Sequence, residues 1–473
     1  MNNAIVRIMD ITIKNFKNVV NGTISFENAK KNYKASILGL YGQNGSGKTA
    51  MIDAIALLKL AFSGAKIPIK YADFINVDAE FAYIKYTLKV INQNINSQYD
   101  VTYEFKLKRE LDETTQNVDA PDNNDNKYRT VIYDEILSCS YEDAETRNIL
   151  KPLIDASIDS DLAFEPQKKY EILIGKNKKI GNDVYAFKTI AAHTSRSFIF
   201  SRELLNVIRK NSPLNEKYHY LIEALVYYGN FGLFVFDTSN TGLISLNALP
   251  LAFKIEDKNS GAIGNLMIQL DGTTSIPQDA VDVVKKVVDN MNIVLKQIIP
   301  GLTIGVEEVE SDILPNNKVG SKIYLVSNKN SQKIALANES DGIKKIVSIL
   351  QLLIVVYNKP QITVAIDELE SGVFEYLLGE LLRIISEKGK GQLIFTSHNL
   401  RPLETLDKGF IAFTTTNPSN RYIRFSNVKS NNNLRDFYYR DIILGEQSEI
   451  VYEHTNNYEI ALAFREAGEF SGS

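Results

Sequence analysis

The chain has 473 residues, 44% of them hydrophobic and 23% charged, with a formal net charge of −4. This is the balance of an ordinary globular protein, long enough for two or three compact lobes, and it excludes a disordered or fibrous chain. It also excludes a surface coated in basic residues, although a local lysine or arginine patch can still hold a phosphate backbone.

From Val6 to Phe26 apolar and polar residues alternate in two β-rich runs, and Asn21-Gly22 between them has turn chemistry, so a hairpin is expected to open the chain. Ala35–Tyr41 is a short apolar run entering a glycine-rich loop, and Lys48–Ala61 repeats apolar residues at helical spacing: strand, loop, helix. Tyr83–Asp134 reads as several strands broken by the polar stretch Asp112–Lys127, an expected exposed loop. The spacing turns helical over Ser197–Val226 and again over Gln278–Ile299, where Val281, Val284, Val288, Met291, Ile293 and Leu295 are expected to share an apolar face. No heptad pattern persists, which argues against a long coiled-coil arm, and no internal repeat is seen. From Gln361 onward two apolar runs, each entering a polar loop, flank the helical stretch Phe374–Ser386, which is βαβ logic.

The longest apolar stretch, Ile346–Tyr357, is interrupted by Gln351 and falls short of the ~20 residues of a membrane span. With no signal-peptide pattern at the N-terminus, no membrane association and a cytoplasmic location are expected. The single cysteine, Cys139, excludes an internal disulfide and a CxxC zinc site, fits a reducing compartment, and reads as a small buried hydrophobe.

Four segments carry chemistry. Gly42-Gln43-Asn44-Gly45-Ser46-Gly47-Lys48-Thr49 matches GxxxxGK[ST] at every defined position, between a strand and a helix. Its glycines let backbone N–H groups turn in on phosphates, Lys48 offsets phosphate charge, and the Thr49 hydroxyl ligates Mg²⁺. Val364-Ala365-Ile366-Asp367-Glu368 is an apolar strand ending in two acids. Placed after a P-loop it reads as Walker B, with Asp367 in the Mg²⁺ shell, Glu368 as general base, and Glu370 a candidate supporting carboxylate. Phe395-Thr396-Ser397-His398 ends the next run, where His398 can stabilise charge on a γ-phosphate. His193, His219 and His454 read as structural, and Asp155, Asp159 and Asp161 as solvated loop acids. Finally, Ser340 and Gly342 precede an apolar helix, the arrangement of an anion site or of an ordinary N-cap.

P-loop, SxGxxK-like segment, hhhhDE and TSH follow one another as in the ATP-binding cassette ATPases. The chain resembles their soluble class, which includes RecF and the heads of SMC proteins, and the opening ITIKNFKNV followed by LYGQNGSGKT looks like the start of that class. It is similar in particular to compact ATPases of bacterial anti-phage and abortive-infection systems, such as the ATPase half of overcoming-lysogenization-defect nucleases and the AriA subunit of PARIS. The resemblance covers both ends, about half of the chain. It implies an α/β P-loop ATPase head with a mixed sheet and an inserted helical and mixed lobe: residues 1–95 and 301–473 as the two parts of the ATPase domain, and 96–300 as the insertion. It also implies ATP binding at Gly42, Asn44, Gly45, Ser46, Gly47, Lys48 and Thr49, metal binding at Thr49 and Asp367, and catalysis by Glu368 and His398. Ser340, Gly342 and Lys344 become a signature that contacts ATP held by another subunit, which requires a homodimer or higher homo-oligomer. Three departures stand: Ser-Asp-Gly replaces Ser-Gly-Gly, no glutamine after the first helix is assigned to a Q-loop, and Asp367-Glu368-Leu369-Glu370-Ser371-Gly372 lacks the Pro often found after the glutamate.

About seventy residues follow His398, too few for a Toprim nuclease, so destructive activity is expected in a separate effector protein, a nuclease or toxin. The main expectation is a slow ATPase acting as sensor or scaffold of a defence system. The alternatives are a DNA repair ATPase of the RecF kind that clamps DNA, and, less favoured, a transporter's nucleotide-binding subunit. Asn431–Gly445, rich in arginine and tyrosine, is expected to be a final helix packed on the sheet.

Overall fold

The computed structural model describes residues 4–27, 36–111, 128–214, 216–256, 261–314, 319–426, 433–445 and 447–469. In chain order, β1 (Ala4–Phe16) and β2 (Val19–Ser25) form a hairpin. β3 (Ser36–Tyr41) then runs through the glycine loop into α1 (Lys48–Phe62), and α2 (Lys70–Asp73) follows. Strands β4 (Ala82–Asn92), β5 (Ser97–Leu111), β6 (Tyr128–Glu142) and β7 (Arg147–Asp155) come next. A helical stretch, α3 (Gln167–Leu173), α4 (Lys178–His193), α5 (Arg202–Asn211) and α6 (Lys217–Tyr227), leads to β8 (Leu233–Phe236) and α7 (Thr238–Ser245). The hairpin of β9 (Ala248–Glu256) and β10 (Gly261–Gln269) precedes β11 (Thr274–Pro277), α8 (Gln278–Ile298), β12 (Leu302–Ile313), β13 (Val319–Lys329) and β14 (Gln332–Ala335). The remainder is α9 (Asp341–Asn358), β15 (Thr363–Ile366), α10 (Glu375–Lys388), β16 (Gln392–Thr396), α11 (Arg401–Thr405), β17 (Ile411–Thr414), β18 (Tyr422–Ile423), α12 (Leu434–Leu444) and α13 (Asn457–Glu469).

Two six-stranded sheets organise these elements. The antiparallel one has the order β2-β1-β4-β5-β6-β7; the other has the order β18-β17-β3-β16-β15-β8 and is parallel except for β18. α1 lies in their shared core and is buried almost all round, from Ala50 to Phe62, which explains why its sequence is apolar on more than one face. A buried glutamine ties the sheets together: Gln392 on β16 accepts from Ile8 N–H at 3.0 Å and donates to Ile8 C=O at 2.8 Å, next to the β-bulge between Ile8 and Asp10. β2 pairs with β1 only from Asp10 onward, so Ile8 has no strand partner on that edge, and the side-chain amide satisfies both its backbone groups.

Three sequence expectations are corrected. The first turn falls at Lys17-Asn18, where Lys17 has φ 53°, and Asn21-Gly22 lies inside β2 opposite Lys14 and Ile13. Gly22 is small for packing and not for turning, because a Cβ there would stand 2.6 Å from the ring of Tyr422. On α8, Ile293 is 69% exposed and Val287 is buried in its stead, since Val284, Val287, Val288 and Met291 hold the i, i+3, i+4, i+7 phase and Ile293 leaves it. The helix after the asparagine run is α12, packed through Phe437 and Tyr438, but it is not the last, because α13 follows. Asn431 and Asn432, and the whole of Asp112–Lys127, lie outside the described residues. Strand β8 on the edge of the parallel sheet was not anticipated; four apolar residues are too short a run to declare a period.

No helix among the described residues is long and apolar enough to cross a membrane.

Candidate nucleotide-binding site

The register of the parallel sheet assembles the site. β16 lies between β3 and β15, with Thr396 opposite Leu40 and Phe395 opposite Ile366, so the three strands end level and their loops emerge side by side. Ligands of open α/β sheets bind at this carboxyl edge. A cavity of about 290 Å³ opens there, lined by Lys17, Asn18, Asn44, Gly45, Gly47, Lys48, Thr49, Ala50, Asp367, Glu368, Thr396 and His398. Residues some 350 positions apart in the chain thus share one site, and both predicted metal ligands, Thr49 and Asp367, and both predicted catalytic residues, Glu368 and His398, are among them.

The loop's shape explains its composition. Gly42, Gly45 and Gly47 have φ of 151°, 75° and 95°, values an L side chain rarely adopts, and a Cβ on Gly42 would lie 1.8 Å from Thr414 Oγ1. The Ser46 hydroxyl hydrogen-bonds that same Thr414, the Asn18 amide donates to the Gly45 carbonyl, and Tyr422 OH donates to the Gly47 carbonyl at 2.9 Å. Lys48 Nζ donates to the carbonyls of Gly42 at 2.8 Å and Gln43 at 2.9 Å, folding the ammonium over the cradle. Burial pushes the Lys48 ammonium down to about 8, against the opposing pull of Asp367, Glu370 and Glu368.

On the facing strands Asp367 is fully buried, and Thr396 Oγ1 donates to its Oδ1 at 2.5 Å. Its Oδ2 is buried without a hydrogen-bond partner in the structure, which leaves a carboxylate oxygen available to a cation. With the Thr49 hydroxyl across the cavity, the two oxygen donors suit Mg²⁺, a hard cation that keeps much of its water and is usually shared with substrate phosphates. Glu368 sits at φ 48°, a left-handed conformation fixed by its N–H donating to Thr396 Oγ1 at 2.8 Å. His398 N–H donates to Glu370 Oε1 at 2.6 Å, so Glu370 supports the histidine loop without lining the cavity. Desolvation and then the charge of Lys48 hold the His398 imidazole below its usual range.

Ser340, Gly342 and Lys344 do not line this cavity. Ser340 is exposed and caps α9, its hydroxyl accepting from Ile343 N–H at 3.4 Å. Gly342 abuts the loop after β15 so closely that a Cβ would meet the Gly372 carbonyl oxygen at 2.0 Å. Lys344 is turned inward, its Nζ 3.1 Å from Asn247 Oδ1 and 3.3 Å from Asp341 Oδ1. Elsewhere, His219 bonds the Ser212 carbonyl, His193 the Arg129 guanidinium, and His454 packs edge-on to Tyr452. Asp155 accepts from the Ser157 N–H in a local turn, and burial pushes the Cys139 thiol up to about 11.

Sequence reasoning missed Lys17, Asn18, Thr396 and Lys345. Lys345 is 1% exposed, stands 4.5 Å from the centroid of the Phe236 ring, and interacts electrostatically with Glu368, Glu370 and Asp367. The available signal was its phase: Lys345 lies four and seven residues before Ile349 and Leu352, on the buried face of α9.

A family model described as an AAA domain matches residues 10–218, and a second, described as an AAA domain, putative AbiEii toxin, type IV toxin–antitoxin system, matches residues 265–404. No curated protein matches the chain. Among solved structures, the SMC head domain from Thermotoga maritima is 14% identical with a TM-score of 0.36, covering 89% of this chain and 99% of that one. The Smc head domain bound to the C-terminal domain of ScpA, derived from Pyrococcus furiosus, is 12% identical with a TM-score of 0.38, covering 89% and 97%. The recombination mediator RecF is 12% identical with a TM-score of 0.36, covering 89% and 99%. The first AAA match contains the phosphate loop and the second contains Ser340, Asp367, Glu368 and His398, and the parallel sheet sets the two groups edge to edge; the chain has the fold of a P-loop ATPase head.

Proposed function

We propose that this chain hydrolyses ATP slowly as a dimer of two copies closed around Mg-ATP, and that this closure is the switch by which it controls a separate effector in a bacterial antiviral defence system. The observation that carries the reading is the division of the site. Lys48, Thr49, Asp367, Glu368 and His398 line one cavity, while Ser340 and Gly342 stand outside it, where a phosphate bound by another copy can meet the N-terminus of α9. The name of the second family model, with its toxin–antitoxin association, supports the defence setting.

In this reading the loop amides and Lys48 hold the β- and γ-phosphates, and Glu368 accepts the proton of the attacking water while His398 donates toward the γ-phosphate. Thr49 and Asp367 would hold Mg²⁺, which neutralises phosphate charge. Ser340 and the free N–H groups of α9, from the partner copy, complete the electrostatic enclosure. Positioning supplies most of the rate, so an incomplete monomer is expected to turn over poorly.

Two variants test the assignment. Lys48→Ala should abolish ATP binding, whereas Glu368→Gln should keep ATP, lose roughly 10²–10⁴-fold in turnover, and accumulate as a dimer by mass analysis. Unchanged hydrolysis in both would show that the chemistry lies elsewhere. Hydrolysis stimulated by DNA with a steep salt dependence would instead favour the clamp. Against that reading, Lys85, Lys106 and Lys108 on the antiparallel sheet are paired with Glu104, Asp134 and Glu110.

A further inference from the structure

The segment after α12 leads to the phosphate loop. Glu449 accepts from the amides of Asn417 and Asn420, the Ile450 carbonyl accepts from Thr416 N–H at 2.8 Å, Val451 is buried, and Glu453 N–H donates to Gln43 Oε1 at 2.9 Å. Gln43 belongs to the loop itself, so the chain is pinned to the phosphate loop. From there it turns outward into α13, whose start is fixed by Asn456 Oδ1 accepting from Tyr458 N–H at 3.0 Å. Every residue from Glu453 to Gly468 is exposed.

That exposure is at odds with the sequence of the helix. Ile460, Ala463, Phe464 and Ala467 follow the i, i+3, i+4, i+7 phase of a core-facing stripe, with Glu459 and Glu466 on another side. Tyr458 and Phe464 are each 77% exposed. A lone helix of this length is marginal in water, so an apolar stripe on it calls for a surface to lie on. Its three glutamates against one arginine make it a poor match for an anionic membrane.

A suitable surface stands around the signature. Leu246, 75% exposed, adjoins the Asn247 that holds Lys344; Phe374, 70% exposed, follows the Gly372 that abuts Gly342; and Tyr376 beyond it is also exposed. In the proposed dimer the phosphate loop of each copy faces the α9 N-terminus of the other, which brings the root of the arm at Gln43 to the side of the partner that carries these residues.

We infer that α13 is a trans arm: each copy lays the Ile460–Ala467 stripe across the other's signature face at Leu246, Phe374 and Tyr376, and so clamps the ATP-closed dimer. The inference rests on the dimer reading above. In the Glu368→Gln protein with Mg-ATP, Phe464→Cys and Phe374→Cys together should give a bismaleimide-linked dimer that is absent without nucleotide; the single native cysteine is buried and stays silent. Ile460→Asp with Phe464→Asp should weaken ATP-driven dimerisation at least tenfold while binding of a fluorescent ATP analogue to the monomer is unchanged. An ATP-dependent dimer that forms equally well with both aspartates, and without the cross-link, overturns the arm and leaves the dimer standing. So does loss, in that variant, only of a co-purifying protein or of binding to phosphatidylglycerol vesicles. If the parent Glu368→Gln chain never dimerises with Mg-ATP, the dimer reading itself fails and the arm with it.

Discussion

Lys345 is the residue whose surroundings say most about how α9 is coupled to Asp367, Glu368 and Glu370. Its ammonium is buried beside Phe236, whose carbonyl accepts from Asp367 N–H at 2.8 Å, and three carboxylates face it electrostatically. Burial pushes it down to about 8 from an ordinary 10.5. Between those two values the unfolded chain binds the proton that the folded chain has released, so stability of the magnesium- and nucleotide-free protein rises with pH across that window. The Lys345→Met variant lacks this contribution. Relative to it, the parent should gain on the order of 3 kcal/mol between pH 7 and pH 10.5. Parallel urea melts at several pH values measure the difference, and a gap that does not change with pH would mean that Lys345 is not held in this buried setting. Lys48, likewise held near 8, is present in both proteins and cancels.

Among the elements, α9 and the loop after β15 meet without side chains between them. Gly342 and Gly372 touch backbone to backbone, and Gly372 holds φ 74°, so neither position has room for a side chain. In the proposed dimer this contact would set the α9 N-terminus that meets a partner's nucleotide against the loop carrying Glu368 and Glu370, a direct mechanical link between the two. Gly342→Ala should separate the two elements. The expected result is a fall in kcat of roughly tenfold or more, the scale of a small misplacement of catalytic groups, with nucleotide affinity at Lys48 near that of the parent. Steady-state kinetics alongside equilibrium ATP binding would check it, and wild-type turnover would show that the junction can spread without consequence.

Across the molecule, the two large sheets have separate ladders and meet through α1, through Gln392, and beside β2, where Arg421 N–H donates to the Asn21 carbonyl at 3.1 Å. The glutamine reaches Ile8 from 384 residues away in sequence and bonds both its backbone groups. Gln392→Leu would leave a buried N–H and a buried C=O unsatisfied, at about 1–3 kcal/mol each, so a loss of about 2–6 kcal/mol is expected in denaturant unfolding. A loss below about 0.5 kcal/mol, the scatter of an ordinary surface substitution, would mean that water or a shifted strand replaces the amide. A construction of this kind places the phosphate loop from one end of the chain and the acids from the other on one rigid edge.

Much of the site was legible in the residues because phosphate binding is a local problem. A glycine loop between strand and helix carries its own mechanism, and so does an apolar strand ending in two acids; Gly42–Thr49, Asp367, Glu368 and His398 could each be found from short windows. The helices α1, α8, α9 and α10 likewise announce themselves by period. What the residues alone did not decide follows from contacts between distant segments. Asn21-Gly22 has the chemistry of a turn, yet Tyr422 claims the space beside Gly22 and the turn moves to Lys17-Asn18. β8 is too short to show alternation, and pairing with β15 makes it a strand. Whether Lys344 or Lys345 would face the acids depends on the rotation of α9, which its packing sets. Local sequence determines the chemistry each segment can perform; only the tertiary structure decides which segments meet, because register, helix rotation and the closeness of two glycines are properties of pairs of elements and not of either one.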